Sequence, residues 1–169
     1  MTHVQATADG ATPLDRVWNT RPQFHATFVD DYRRAIARVE PVLVELCRLR
    51  MALLFGCAVD LSLRSKPARA AGLGEDKIAA LANYDKSPLF SARERACIGF
   101  AEQFALASYA IDDADVARVQ QVLAPEDFIY FVKALSVIDQ FQRAAVAFGA
   151  PAAAVPPEGL DAFDVVALH

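Results

Sequence analysis

Apolar side chains recur at intervals of three and four residues in several stretches of this chain, and no stretch shows the strict alternation of a β-strand. Signals for helix starts precede these stretches. Ser91 and Glu94 form an S-x-x-E capping box, Pro41 fits the first turn of a helix, and Pro125 opens another. The pattern predicts an all-α protein.

These signals also predict where the helices lie. We expect helices over about 28–39, from Pro41 to a stop at Gly56, from Cys57 to about Ala71, over Glu75–Leu81, from Ser91, from Asp112 or Asp113, and from Pro125 to Gly149. We expect residues 1–22 to be an N-terminal arm, 23–150 a single helical domain, and 151–169 a proline-containing C-terminal tail.

Composition and charge narrow the classes of protein that the chain fits. It has 169 residues, enough for one domain with a sizeable core, and 54% of them are hydrophobic. The net charge is -4 and the basic residues are scattered, so we expect no nucleic-acid partner. The start lacks a signal-peptide pattern, and no apolar run reaches the roughly 20 residues of a membrane span. The sequence predicts a soluble, cytoplasmic protein with no membrane partner.

Cys57 is the candidate nucleophile. It follows Gly56 and is predicted to stand in the first turn of a helix, where unpaired N–H groups and the helix dipole lower the pKa of a thiol. Taken alone, the local sequence favours a buried apolar role, because free cysteine is among the most buried residue types. Cys47 and Cys97 lie in apolar helical stretches, and we expect both to be reduced core residues.

Two carboxylates flank this cysteine in the sequence. Glu45 lies in an apolar stretch and needs a partner or solvent, and Arg48 is its nearest cation within helical reach, so a surface ion pair and a functional role are both open. Glu45 and Cys57 would be roughly 18 Å apart on one unbroken helix, so they cooperate only if the chain breaks near Gly56. For Asp60, an exposed i,i+4 pair with Arg64 is the simplest interpretation.

Metal and cofactor motifs are not found in the sequence. The histidines, His3, His25 and His169, lie in or near the termini without ligand spacing. The chain has no G-x-S-x-G elbow and no phosphate-binding loop. We therefore expect neither a metal nor a cofactor.

Several weak motifs, taken in order, resemble the carboxymuconolactone decarboxylase and AhpD-like alkylhydroperoxidase family. They are the stretch Glu45–Ala52, the pair Gly56-Cys57, the stretch Ala68–Leu73 with Lys77-Ile78, and the later stretches Phe90–Ala96 and Gln142–Gly149. The resemblance implies an AhpD-like all-α helical bundle, a single domain that assembles into a homo-oligomer, commonly a trimer or hexamer.

The resemblance also implies a thiol site, and here the chain departs from the family. In the peroxidase branch a Glu, a Cys-x-x-Cys and a downstream His form a proton relay, and Glu45 and Cys57 match the Glu and the first Cys. Asp60 stands at the second Cys, and Arg64, or Ser62 in a gapped alignment, stands at the His. Asp60 forms no disulfide and Arg64 exchanges no proton near neutral pH, so the two-thiol cycle is not expected.

Four functions come into consideration at this point, and three of them stay open. The first is a peroxidase-like oxidoreductase of weak or altered activity, with Cys57, Glu45 and Asp60 as catalytic residues and an external thiol as reductant. In it Cys57 is the reacting thiol and Glu45 is its proton partner. The second, lactone decarboxylation, is not supported, because the histidines that it uses in the family are not found here. The third is a non-redox enzyme in which Glu45 or Asp60 is a general base and Arg64 or Ser62 binds substrate. The fourth is a ligand-binding or scaffold protein. We take the first as the prediction.

Overall fold

The computed structural model describes residues 13–152, which form helices joined by short turns. The α-helices are α1 (Pro13–Trp18), α2 (Pro22–Ile36), α3 (Pro41–Phe55), α4 (Ala58–Leu61), α5 (Lys66–Ala70), α6 (Glu75–Ala79), α7 (Ala92–Ala107), α8 (Asp113–Gln120) and α9 (Pro125–Ala147). Short 3-10 helices follow α6 (Ala80–Asn83) and α7 (Ser108–Ala110). No strand occurs within residues 13–152, and the predicted all-α class is confirmed.

The predicted helix starts are confirmed where a side chain caps the helix. The Ser91 hydroxyl accepts from the Glu94 N–H at 3.2 Å, and Glu94 Oε2 accepts from the Ser91 N–H at 2.8 Å. Asp112 and Asp115 form the same reciprocal box at α8. These boxes satisfy N–H groups that a helix leaves without partners in its first turn.

The long helix α3 both starts and stops as predicted. Glu40 accepts from the N–H groups of Val42 and Leu43, each at 2.9 Å, and Pro41 occupies the first turn. Gly56 ends the helix with φ of 65°, a left-handed conformation that suits glycine. The Cys57 N–H then donates to the Ala52 carbonyl at 2.9 Å, so the chain turns sharply just before the candidate thiol.

Other boundaries differ from the prediction. Helix α2 begins at Pro22, six residues before the predicted start, because proline at a helix start fits its first turn. The helix α1 lies inside the stretch predicted to be an arm. The predicted helix from Cys57 to Ala71 is wrong in its middle: it is two short helices, and Ser65 caps the second by accepting from the Ala68 N–H at 3.2 Å. Pro67 lies in the first turn of that second helix.

The core lies around α3, which is buried on most of its surface and packs against α7 and α9, while α2 packs against α9. Aromatic rings join α2 to α9. Phe28 stacks on Phe141 with ring centroids 6.3 Å apart, and Tyr32 meets Phe141 edge-on at 6.0 Å. Cys47 and Cys97 are fully buried in this core, as predicted.

The predicted arm up to residue 12 and the predicted tail beyond residue 152 lie outside the described residues, as do His3 and His169. Among the helices of residues 13–152, none combines the length and apolar character that crossing a bilayer requires.

Candidate functional site

A fully buried arginine organises the polar interior. Arg48 and Glu45 lie one turn apart on α3, and each side chain is only 1% exposed. Arg48 Nε donates to Glu45 Oε2 at 2.7 Å, and its Nη2 donates to Glu45 Oε1 at 2.8 Å. This parallel arrangement is the strong two-bond form of an arginine–carboxylate pair. The surface ion pair considered for Glu45 is therefore wrong, because α3 is enclosed by its neighbours.

Asp60 completes the pairing of this guanidinium from the other side of the Gly56 break. Its carboxylate oxygen Oδ1 lies 3.1 Å from Arg48 Nη1, and its own carbonyl accepts from the same nitrogen at 3.0 Å. The Leu63 carbonyl accepts from Nη2 at 3.2 Å. Every N–H of the Arg48 guanidinium thus has an acceptor, so a buried charge that would be costly alone is fully hydrogen-bonded.

Two further groups hold the carboxylates in place. The Ser65 N–H donates to Glu45 Oε1 at 2.9 Å. From α9, Gln142 Nε2 donates to Asp60 Oδ2 at 2.6 Å and to the Arg48 carbonyl at 2.9 Å. Gln142 Oε1 is buried without a hydrogen-bond partner among the described residues. We call Glu45, Arg48, Asp60 and Gln142 the buried ion cluster.

The charges of the buried ion cluster do not balance when all are ionised, since two carboxylates face one cation. Burial raises the pKa of Asp60, while Arg48 and the Gln142 amide act in the opposite direction. Burial by itself would lower the pKa of Arg48, but the two carboxylates outweigh burial and raise the pKa, which keeps the guanidinium charged. The fold therefore favours the protonated form of Asp60 more than water does.

Cys57 precedes α4 at its N-cap position and is 1% exposed. Burial, and then the nearby Asp60 carboxylate, raises the pKa of its thiol to about 11. The backbone N–H groups of Asp60 and Val59 and the Arg48 charge act in the opposite direction. The local geometry expected to activate the thiol is thus present, but burial outweighs it.

The remaining predicted site residues take other partners. Arg64 Nε binds Glu75 Oε1 at 3.0 Å, and its Nη1 donates to the Leu61 and Leu63 carbonyls. The Ser62 hydroxyl donates to the Val59 carbonyl at 2.6 Å. The exposed Asp60–Arg64 pair is wrong, because α4 ends at Leu61 and Arg64 no longer follows Asp60 on one helix. The substrate-binding role of Arg64 and Ser62 stays a prediction.

Arg48 and Gln142 are the site residues that sequence analysis did not identify as such. Arg48 was noted only as a cation near Glu45, and Gln142 only within a stretch of family resemblance. A signal was present for each. Arg48 lies in a helix that is apolar on nearly every side, and Gln142 interrupts an apolar face of α9 next to Ile138, Phe141 and Ala145.

The architecture matches solved structures. A protein of unknown function from Agrobacterium tumefaciens, ATU0492, which is named as a candidate antioxidant defence protein AhpD, superposes with a TM-score of 0.70 at 19% identity. The match covers 86% of this chain and 99% of that one. The chain has the AhpD-like fold. At this identity the likeness concerns the fold alone.

Other similar proteins include an enzyme with a different named activity. The debrominase Bmp8 superposes with a TM-score of 0.71 at 16% identity, over 82% of this chain, both without ligand and as a cysteine-to-alanine variant in complex with 2,3,4-tribromopyrrole. These matches cover 76% and 75% of the Bmp8 chains. The uncharacterised protein YdfG of Bacillus subtilis is 26% identical over 110 residues, which are 64% of this chain and 75% of YdfG. No protein-family model matches the sequence.

Proposed function

We propose that this protein is a thiol-dependent, peroxidase-like oxidoreductase that works through Cys57 alone and turns over slowly at neutral pH. The observation that carries the proposal is the position of Cys57. It stands at the N-cap of α4, with the N–H groups of Val59 and Asp60 and the charge of Arg48 favouring its thiolate. Its burial and raised pKa account for the slow rate, because the thiolate is the nucleophile.

The chemistry with a hydroperoxide needs one protein thiol and two molecules of an external thiol. The Cys57 thiolate attacks the outer peroxide oxygen, the O–O bond breaks, and the alkoxide leaves as an alcohol after taking a proton. The sulfur is then a sulfenic acid. One external thiol displaces water to form a mixed disulfide, and a second releases Cys57 and the external disulfide.

Within the buried ion cluster, Asp60 is the proton carrier of this proposal. Burial raises the pKa of Asp60, and Asp60 neighbours Cys57. In its protonated form Asp60 can therefore donate a proton to the leaving alkoxide. Glu45 was predicted to be the proton partner of Cys57, but Asp60 is the carboxylate whose charge acts on the Cys57 thiol, while Glu45 forms the two-bond pair with Arg48. We therefore assign Glu45 to holding Arg48 rather than to proton transfer.

The fold neighbours suggest a second class of substrate for the same thiol. Because Bmp8 is a debrominase and one of its structures holds 2,3,4-tribromopyrrole, a brominated pyrrole belongs in the same assay. For this chain the step would be attack of the Cys57 thiolate on bromine, with protonation of the ring carbon that loses it. Two molecules of external thiol would then release bromide and return the thiol as above.

The proposal is tested by the rate at which the purified protein consumes cumene hydroperoxide with excess dithiothreitol at pH 7 and pH 9. Cys57→Ser removes the proposed sulfur, and Cys97→Ser is the matched control, since Cys97 is another buried thiol. Mass spectrometry locates the oxidised cysteine. We expect turnover that is faster at pH 9, that disappears in Cys57→Ser and that survives in Cys97→Ser. No turnover at either pH, with Cys57 left reduced, contradicts the proposal.

A non-redox function at the same buried ion cluster is the second candidate, and the near-complete burial of Cys57 favours it. Here Asp60, or Glu45 as predicted, would be the acid or base acting on a bound ligand. Arg64 would bind an anionic group only after leaving Glu75. Two results together would favour this candidate: the protein shows no peroxidase turnover, and small carboxylic acids raise its thermal unfolding temperature.

Assembly into a homo-oligomer is the remaining part of the proposal, with a trimer or hexamer as the family resemblance implies. Large apolar side chains exposed in the single chain support it, among them Leu53, Leu106 and Ile129. Light scattering on the full chain measures the subunit count directly, and a monomer at micromolar concentration would contradict it.

A further inference from the structure

An apolar cleft of about 370 Å³ opens beside the α2–α3 turn, and its lining includes none of the residues assigned a chemical role above. It is lined by Arg33, Ile36, Ala37, Val39, Pro41, Val44 and Pro67. Ile36 and Val44 are almost fully buried and form its floor. Its volume lies within the roughly 300–1,000 Å³ of small-molecule sites, and its lining carries no acidic side chain.

The charge at the edge of this cleft is an arginine without an ion pair. Arg33 is exposed, and within the described part of the chain no carboxylate pairs with it. Its neighbour Arg34 differs, because Arg34 Nη2 binds Asp30 Oδ2 at 2.5 Å. A guanidinium that borders apolar surface and has no internal acceptor fits a planar anionic group such as a carboxylate.

Two acidic residues near the cleft are already engaged. Both oxygens of Glu40 cap α3 through the N–H groups of Val42 and Leu43, and Asp31 pairs with Lys133. The C-terminal end of α2 and the N-terminal end of α3 meet at this turn, so their opposite helix dipoles offset each other. Among the lining residues, Arg33 is the one that carries a charge, so it meets a ligand in the cleft directly.

We propose that this cleft binds a medium-chain amphipathic carboxylate, with the hydrocarbon tail on Ile36 and Val44 and the carboxylate on the Arg33 guanidinium. The pairing follows from charge complementarity, since an apolar lining with one unpaired cation at its edge matches an apolar chain with one anionic end. The site does not involve Cys57, so binding at the cleft can be tested independently of the thiol chemistry.

Octanoate is the probe, and isothermal calorimetry or protein-observed NMR on the full chain measures its binding. Arg33→Gln removes the proposed contact, and Arg34→Gln is the matched control because it removes the same charge one residue away. We expect saturable binding that weakens about fivefold in Arg33→Gln and is unchanged in Arg34→Gln. We expect octanol, which has the chain without the charge, to bind about as weakly as octanoate binds Arg33→Gln.

A second variant tests the place of binding without depending on charge. Ala37 is exposed at the edge of the cleft, so Ala37→Trp fills the space without replacing a core residue. Loss of octanoate binding in Ala37→Trp, with thermal unfolding unchanged, supports the cleft as the site.

Three results would overturn the proposal. One is no saturable binding of octanoate at millimolar concentration. Another is equal binding by the wild type and Arg33→Gln, which would make the cleft a purely apolar site. The third is binding that strengthens only on dilution of the protein, which would assign the cleft to contact with a second copy of the chain.

Discussion

Gln142 Nε2 lies 2.6 Å from Asp60 Oδ2, although the two residues are 82 positions apart in the chain. This bond joins the last long helix to the short helix after the Gly56 break. Its partners are buried, so loss of either leaves a polar group without compensation. The first prediction follows from this contact.

Gln142→Ala is expected to lower the free energy of unfolding by about 1–3 kcal/mol, because Asp60 and the Arg48 carbonyl both lose a donor in the interior. Urea denaturation measures the change. Gln140→Ala is the matched control, since Gln140 lies two residues earlier on the same helix and is exposed, and its removal should cost less than about 0.5 kcal/mol. Equal effects of the two substitutions would show that the hydrogen bonds of Gln142 do not stabilise the fold.

Arg48→Met is expected to lower the free energy of unfolding by about 3–5 kcal/mol at pH 7, because two buried carboxylates then lack their cation. The loss should be smaller in acid, because Asp60, whose pKa is raised by burial, takes up a proton there and no longer needs the cation. Arg34→Met, which removes an exposed arginine, is the control and should cost less than about 1 kcal/mol. A small, pH-independent loss in Arg48→Met would contradict the charge argument.

The reactivity of Cys57 is expected to rise steeply with pH. With a thiol pKa of about 11, alkylation by iodoacetamide should accelerate about tenfold per pH unit between pH 7 and pH 10. Asp60→Asn removes the neighbouring negative charge, so the midpoint of the profile should move to lower pH. Peptide mass spectrometry follows Cys57 alone. Asp30→Asn is the control, and a profile whose midpoint is the same in Asp60→Asn and wild type would refute the role of Asp60.

Stability is expected to fall as pH rises from about 9 to about 11. The Cys57 thiol has a pKa of about 11 when folded and near 9 when exposed, so across this window the unfolded chain releases a proton that the folded chain retains. The full contribution is present below about pH 9 and is lost toward pH 11, at up to about 1.4 kcal/mol per pH unit.

Cys57→Ala measures that contribution, because alanine has no proton to release. Its unfolding free energy, determined by denaturant titration at pH 8, 9, 10 and 11, should decline less steeply than that of the wild type. Cys97 retains a similarly raised thiol pKa in both proteins, so some decline persists in the variant. Parallel curves for the two proteins would place the pKa of Cys57 at its ordinary value.

The fold was predictable from sequence where local chemistry determines it. The capping box at Ser91, the proline start at Pro41 and the glycine stop at Gly56 each act on atoms a few residues away, so their sequence signals are enough. The segment from Cys57 to Ala71 was not predictable in the same way. Between its two helices, Arg48 donates to the carbonyls of Asp60 and Leu63, which are 12 and 15 residues away, and no local pattern contains that pairing.

The candidate site was predictable only in part for the same reason. Glu45, Cys57 and Asp60 stood out through their residue types, and the break at Gly56 was recognised as the condition for bringing them near one another. The partner of Asp60 was wrongly predicted, since spacing favoured Arg64 while the fold supplies Arg48 and Gln142. Pairing between distant elements depends on packing, which a local pattern does not contain.

The members of the buried ion cluster are far apart in the sequence, and this has a consequence for synthesis of the protein on the ribosome. Glu45, Arg48 and Asp60 leave the ribosome early, but Asp60 receives its second partner only when residue 142 has emerged. Until then Asp60 Oδ2 has no protein donor and is hydrated. The aromatic side chains with which α9 packs against α2 are also absent. A chain cut short before α9 therefore has no sealed interior, and cellular proteases should remove it rather than let it accumulate.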